Sequence, residues 1–273
     1  MSQRTEILAR TYREHMIAKA NVKGVAGGSE KVLVLVTRKE PLSSLASEDV
    51  VDEWVEGVRT DVIEVGEIKP MLAPGDSIGS SATGTLGGFV VDEGDVIYAL
   101  TNNHVAADSN RASVLTPIYS PGPADGTGEA FGVLGRFEPI FFDQDNLLDA
   151  ALVRVDPGVA VDVDHPARTI TARTGWGVQK KGRTSGRTWG TVLGRDATIE
   201  VDFGTQGVAR FTGQVLTTPM LEPGDSGSVL RSQSGFPVGL GFAGSDQVSI
   251  HTPINLVLRT LAVTFLREED GDR

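Results

Sequence analysis

From residue 84 to residue 263 the chain is cut into short apolar runs by clusters of Gly, Pro, Asn, Asp and Ser, and that pattern leaves few folds open. The runs cover 89–91, 96–100, 131–137, 150–155, 188–193, 197–203, 211–217, 228–230, 238–242 and 248–252. Runs of this length, rich in Val, Ile, Thr and Phe and bounded by turn formers, are strands. The 33 glycines among 273 residues, well above the usual ~7%, supply the turns between them. The class is therefore all-β over this stretch, a sandwich or a barrel.

The first seventy residues have a different character. Ile7, Leu8, Tyr12, Met16 and Ile17 fall at helical spacing within 1–20. Residues 31–37 and 61–68 are β runs, and the segment between them, with Pro41, Leu42 and Leu45, predicts a second helix. This order gives a small α+β unit over 1–70. A Gly-, Ser- and Pro-rich stretch at 69–88 separates it from the strand-rich part, 71–273. At the other end, Ile254, Leu258, Leu261 and Phe265 predict a closing helix over about 254–266.

The chemistry concentrates at Gly224-Asp225-Ser226-Gly227-Ser228. A serine hydroxyl is a weak nucleophile until a base takes its proton, and acyl attack creates an oxyanion that needs fixed donors. Glycines let the backbone turn tightly enough to present the Gly224 and Ser226 amides together beside an exposed hydroxyl. Taken alone, such a tetrapeptide is equally well an ordinary turn. A base is available in Thr101-Asn102-Asn103-His104-Val105-Ala106-Ala107, directly after the run 96–100. The other histidines are His15 in the charged helix, His165 in an acidic loop and His251 in a late strand. A carboxylate must then hold the imidazole tautomer. Asp149 heads the apolar run 150–155, where a lone acid is costly without a partner, whereas Asp143, Asp145 and Asp156 read as loop charges.

In order and context, TNNHVAA, DAALV and GDSGS resemble the histidine, aspartate and serine motifs of the chymotrypsin-like (trypsin-like) serine proteases, in their disulfide-free bacterial form. The resemblance runs from about residue 81 to the C-terminus. It implies two six-stranded antiparallel β-barrels, the first over about 81–165 with His104 and Asp149, the second over about 175–253 with Ser226. It also implies an oxyanion hole from Gly224 and Ser226, and a substrate-pairing strand that includes Phe242, Ala243 and Gly244. By offset from Ser226, Met220 would floor the primary pocket with Gly244 and Ser249 as walls, favouring an apolar residue before the cut. Neither metal nor cofactor is implied. In secreted relatives the acid before the nucleophile pairs with an amine released by cleavage. Lys23-Gly24-Val25-Ala26-Gly27-Gly28 is too far upstream to serve, so Asp225 is expected to pair with an internal cation or backbone amides.

A formal net charge of −11 argues against a nucleic-acid partner. No apolar run reaches membrane-spanning length, so no membrane partner is expected. The absence of cysteine and of an apolar leader predicts a cytoplasmic protein. The expected partner is a protein or peptide substrate, hydrolysed through an acyl-enzyme. The alternative is a catalytically silent or latent module of the same fold that acts by binding protein. An α/β-hydrolase esterase would need a G-x-S-x-G elbow and the order Ser, Asp, His, and has neither here. Residues 1–70 would serve as a cap, propeptide or docking module for a regulatory protein. Deleting them is expected to change activity or solubility, and an unaltered enzyme would make the unit a passenger.

Overall fold

The N-terminal amphipathic pattern folds, in the computed structural model, into two short helices, α1 (Ser2–Thr11) and α2 (Arg13–Ile17). The break falls at Tyr12, whose ψ of 5° leaves the helical well. Met16 is buried, while Ile7 and Ile17 face outward. Residues 2–66, 71–163 and 168–267 are described, so His165 lies outside them.

Contacts divide the chain into two compact units, Met1–Pro70 and Met71–Arg273. In the first, strands β1 (Val22–Gly27), β2 (Val32–Val36), β3 (Trp54–Val55) and β4 (Val58–Glu64) form a sheet in the order β1-β2-β4-β3. β2 and β4 are parallel, so a crossover must join them. The crossover corrects the sequence reading: instead of a helix it holds two single 3-10 turns, Leu42–Ser44 and Ser47–Asp49. Leu42 is 73% exposed, so the segment has no apolar stripe to bury and no force to propagate a helix. β1 escaped the sequence reading because two of its six residues are glycines.

The second unit carries two sheets. The first contains β5 (Ser77–Gly79), β6 (Thr83–Thr85), β7 (Gly88–Val91), β8 (Ile97–Thr101), β9 (Pro117–Ser120) and β10 (Glu129–Phe137). β11 (Asp145–Asn146) leaves it for the second sheet, and β12 (Ala151–Val155) returns. The second sheet comprises β13 (Gly177–Gly182), β14 (Gly186–Asp202), β15 (Val208–Thr217), β16 (Val229–Ser232), β17 (Pro237–Gly244) and β18 (Ser249–Pro253).

In that second sheet β15 also pairs with β18, which closes six antiparallel strands into a barrel, with β11 added in parallel along β15. In the first, Ile78 of β5, Phe89 of β7, Leu134 of β10 and Val153 of β12 share one core, so the strands roll round a common interior. A single turn of helix, α3 (Asn103–Ala106), follows β8. The closing helix α4 (Ile254–Thr260) is shorter than expected. Beyond it, β19 (Thr264–Phe265) pairs with β7, tying the chain's end back to the first barrel. A second cluster joins Leu100, Leu148 and Leu152 of the first barrel to Val229, Leu240 and Val257 of the second part. That apolar seam holds the two barrels together.

Candidate active site

His104 stands on the first turn after β8, where a strand interior hands over to a short helix. The two asparagines before it are fully buried and hold the turn. Asn102 Nδ2 donates to the Asp149 carbonyl at 2.6 Å, and Asn103 Nδ2 donates to the Glu138 carbonyl at 2.7 Å. Asp149, fully buried, places Oδ2 2.5 Å from His104 Nδ1, and its Oδ1 accepts the His104 amide at 3.3 Å. A carboxylate only accepts, so Nδ1 carries the hydrogen and Nε2 is left to accept a proton. Asp143 and Asp145 are exposed; Asp145 is paired with Arg210 across the β11–β15 contact.

Ser226 lies on the loop between Glu222 and Val229, joined to the histidine's strand by a fully buried residue that the sequence reading passed over. Thr85 donates its amide to the Ser226 carbonyl at 2.7 Å and its hydroxyl to the Gly224 carbonyl at 2.8 Å. Its own carbonyl accepts the Thr101 hydroxyl at 2.9 Å. Gly227 must be glycine: its φ is +98°, and a Cβ would sit 2.1 Å from the Thr85 carbonyl oxygen.

Among the described residues the amides of Gly224 and Ser226 donate to no acceptor, although their neighbours Asp225, Gly227 and Ser228 all do. The Ser226 hydroxyl donates to the Phe242 carbonyl at 3.3 Å, and no hydrogen bond joins it to His104. An aromatic series runs from His104 to Phe242, the residue whose carbonyl Ser226 engages: Phe203 meets the His104 ring edge-on at 6.2 Å and Phe211 at 6.2 Å, and Phe211 meets Phe242 at 4.9 Å. Phe203 sits at the tip of the long β14–β15 hairpin, too far along the chain for any motif to mark it.

A cavity of about 440 Å³ opens beside Ser226, lined by Leu221, Glu222, Pro223, Ala243, Gly244, Ser245 and Asp246. Of the residues expected to meet substrate, Ala243 of the pairing strand and Gly244, a wall by offset, line this cavity. Met220, Phe242 and Ser249 are buried behind it. Met220 packs with Val178, Val192 and Leu230, and Ser249 Oγ accepts the Met220 and Leu221 amides at 2.9 Å each.

Asp225 is tied down from inside. Its Oδ2 accepts Lys180 Nζ at 2.6 Å, both side chains being fully buried, and it also accepts the Ser185 hydroxyl and the Thr184, Ser185 and Glu222 amides. Burial pushes its carboxyl up, but Lys180 and the other donors outweigh it and hold it below the usual range. Lys180 is thus the internal cation the sequence could anticipate only as a type.

His251, also fully buried, has Nε2 3.1 Å from Thr217 Oγ1 and no partner for Nδ1 among the described residues. Burial, with the Lys180 charge second, lowers its pKa from 6.5 to about 3. The folded state therefore takes up the proton at lower pH than the unfolded chain does. The resulting stability is complete above pH 6.5 and is lost as pH falls from there toward 3. Chemical denaturation at pH 6 and pH 4 should show His251→Gln losing less stability than the parent, by about 1.4 kcal/mol per pH unit. Equal slopes would mean that His251 takes up its proton at the same pH in the folded and unfolded states.

Two β-barrels, a buried aspartate–histidine pair on one and a serine loop with free amides on the other, define the fold of the chymotrypsin-like serine proteases, here without any cysteine. The sequence is 27% identical over 206 residues to streptogrisin-A of Streptomyces griseus, covering 74% of this chain and 63% of that protein's length. In structure it is similar to the Nocardiopsis protease NAPase (TM-score 0.57, 21% identity, 72% of this chain and all of that one). A glutamic acid-specific serine protease gives a TM-score of 0.54 at 23% identity, covering 71% of this chain and all of that one. Thermobifida fusca protease A gives 0.53 at 20%, covering 71% and 99%. No family model matches the chain.

Proposed function

We propose that this chain is a serine endopeptidase in which Ser226 attacks a peptide carbonyl and His104 takes its proton and returns it to the leaving amine. Asp149 holds the imidazole tautomer, and water then releases the acyl-enzyme. The observation that carries this reading is the pair of unengaged amides, Gly224 and Ser226, flanking the nucleophile where every neighbouring amide is bonded. Donors that no other protein group engages are available to an oxyanion that forms during reaction. For the proton transfer, the Ser226 hydroxyl gives up its hydrogen bond to the Phe242 carbonyl for one to His104 Nε2.

The cavity beside Ser226 takes the side chain before the cut. Leu221 and Ala243 give it an apolar wall, and Glu222 and Asp246 stand at its mouth. Residues 1–70 form the docking module for a controlling protein. Their support is a cavity of about 230 Å³ lined in part by Val22, Val36, Leu42, Leu45, Val51 and Val62. The reading keeps a cytoplasmic site of action, supported by a fold held without a single cysteine. Among the described residues no helix is long and apolar enough to cross a membrane.

The Ser226–Phe242 hydrogen bond favours one second reading, a latent protease-fold module that binds protein without turnover. Stopped-flow mixing with activated esters and a mixed peptide library separates the two. The endopeptidase releases a burst of about one product per chain before steady peptide cleavage. A chain that shows neither burst nor cleavage across the library is the silent module.

A further inference from the structure

Among the described residues, a second cavity of the protease-like unit shares no lining residue with the cavity beside Ser226. It encloses about 230 Å³ between Pro74 and Gly87 on one side and Gln179, Lys180, Lys181, Arg187, Val229, Arg231 and Gly235 on the other. Four of its nine lining residues are cations and none is an acid, in a chain where acids outnumber bases 36 to 25. Lys180 is neutralised by Asp225. Lys181 and Arg187 are not: among the described residues neither has a carboxylate within ion-pair distance, and the nearest polar contact of Arg187 is Gln179 Oε1 at 3.5 Å.

These two cations also face each other directly across the β13–β14 ladder. Like charges in directly opposed positions destabilise a strand pair, so the arrangement costs stability unless something negative relieves it. The stem of Lys181 lies against Gly75, where a Cβ would come within 2.7 Å of its Cδ. Arg231 adds a third cation from β16.

We propose that this cavity, with Arg231 on its wall, is a binding site for a small oxyanion, a phosphate- or carboxylate-bearing molecule held by Lys181 and Arg187. Guanidinium groups match the geometry of both kinds of oxyanion, and a lysine supplies a compact charge beside them. Because Pro74 and Gly87 belong to the first-barrel side and the cations to the second barrel, an occupant bridges the two and stabilises their packing.

The test is calorimetric titration of the full chain with inorganic phosphate and, separately, citrate, at ionic strength held constant with sodium chloride. The site predicts saturable binding with Kd below about 1 mM for at least one anion, and a rise in melting temperature that follows the same saturation. The tighter of the two identifies a phosphate or a carboxylate as the natural group. Lys181→Gln/Arg187→Gln should weaken binding at least tenfold, and each single variant severalfold. Arg195→Gln, an exposed cation elsewhere on β14, should bind as the parent does. Both substituted side chains are exposed, so the ligand-free melting temperature of the double variant checks its folding; should that variant fail to fold, the single variants decide. A response to both anions that is linear and no larger than that to chloride, or equal binding by parent and variants, overturns the proposal.

Discussion

Ser226→Ala is expected to lower peptide-hydrolysing kcat/KM by roughly 10⁴- to 10⁶-fold, on the scale seen when a coupled triad loses its nucleophile. The thermal transition should barely move, because the Ser226 hydroxyl makes one long hydrogen bond, 3.3 Å to the Phe242 carbonyl. His104→Ala should cost a similar factor, since without Nε2 the serine keeps its proton. The double variant should be little worse than either, because the two residues act in one step. Losses that multiply would mean independent roles and would break the triad assignment.

Lys180→Met should be the most destabilising single change in the second barrel, by about 3–5 kcal/mol. It leaves the Asp225 carboxylate buried and without its cation, although the Thr184, Ser185 and Glu222 amides still reach it. Those amides belong to the β13–β14 turn and to the nucleophile loop, so activity should fall with stability. Lys180→Met/Asp225→Leu, which removes both charges, should recover part of the lost stability while activity stays low, because the loop loses its anchor. A single variant as stable as the parent in urea would show that the pair is worth little and that the turn holds itself.

Much of the fold was legible because strands interrupted by turn formers carry a local signal. The two-barrel arrangement needed the order of three motifs in addition. The misses have physical causes. The helix expected after Pro41 rested on two leucines, and with Leu42 exposed there was nothing to bury. The closing helix was drawn too long because Phe265 kept its helical spacing while its backbone went to β7.

In the site, His104, Asp149 and Ser226 each announced themselves through neighbours in sequence. Thr85, Lys180 and Phe203 did not, because what makes them matter is contact across 45 to 139 residues of chain, which one sequence does not display. The pocket shows a finer version of the same limit. Offset counting put Met220 on the floor, and the side chain that lines the cavity is its neighbour Leu221.

One experiment meets the central claim head on: incubation of the purified full chain with a fluorophosphonate, followed by intact mass and peptide mapping. One phosphonyl group per chain, found on Ser226 and lost in His104→Ala, is the result expected of a hydroxyl activated by a neighbouring imidazole. Peptide hydrolysis that persists with Ser226 unlabelled, or a label of equal extent in the His104→Ala chain, would contradict it.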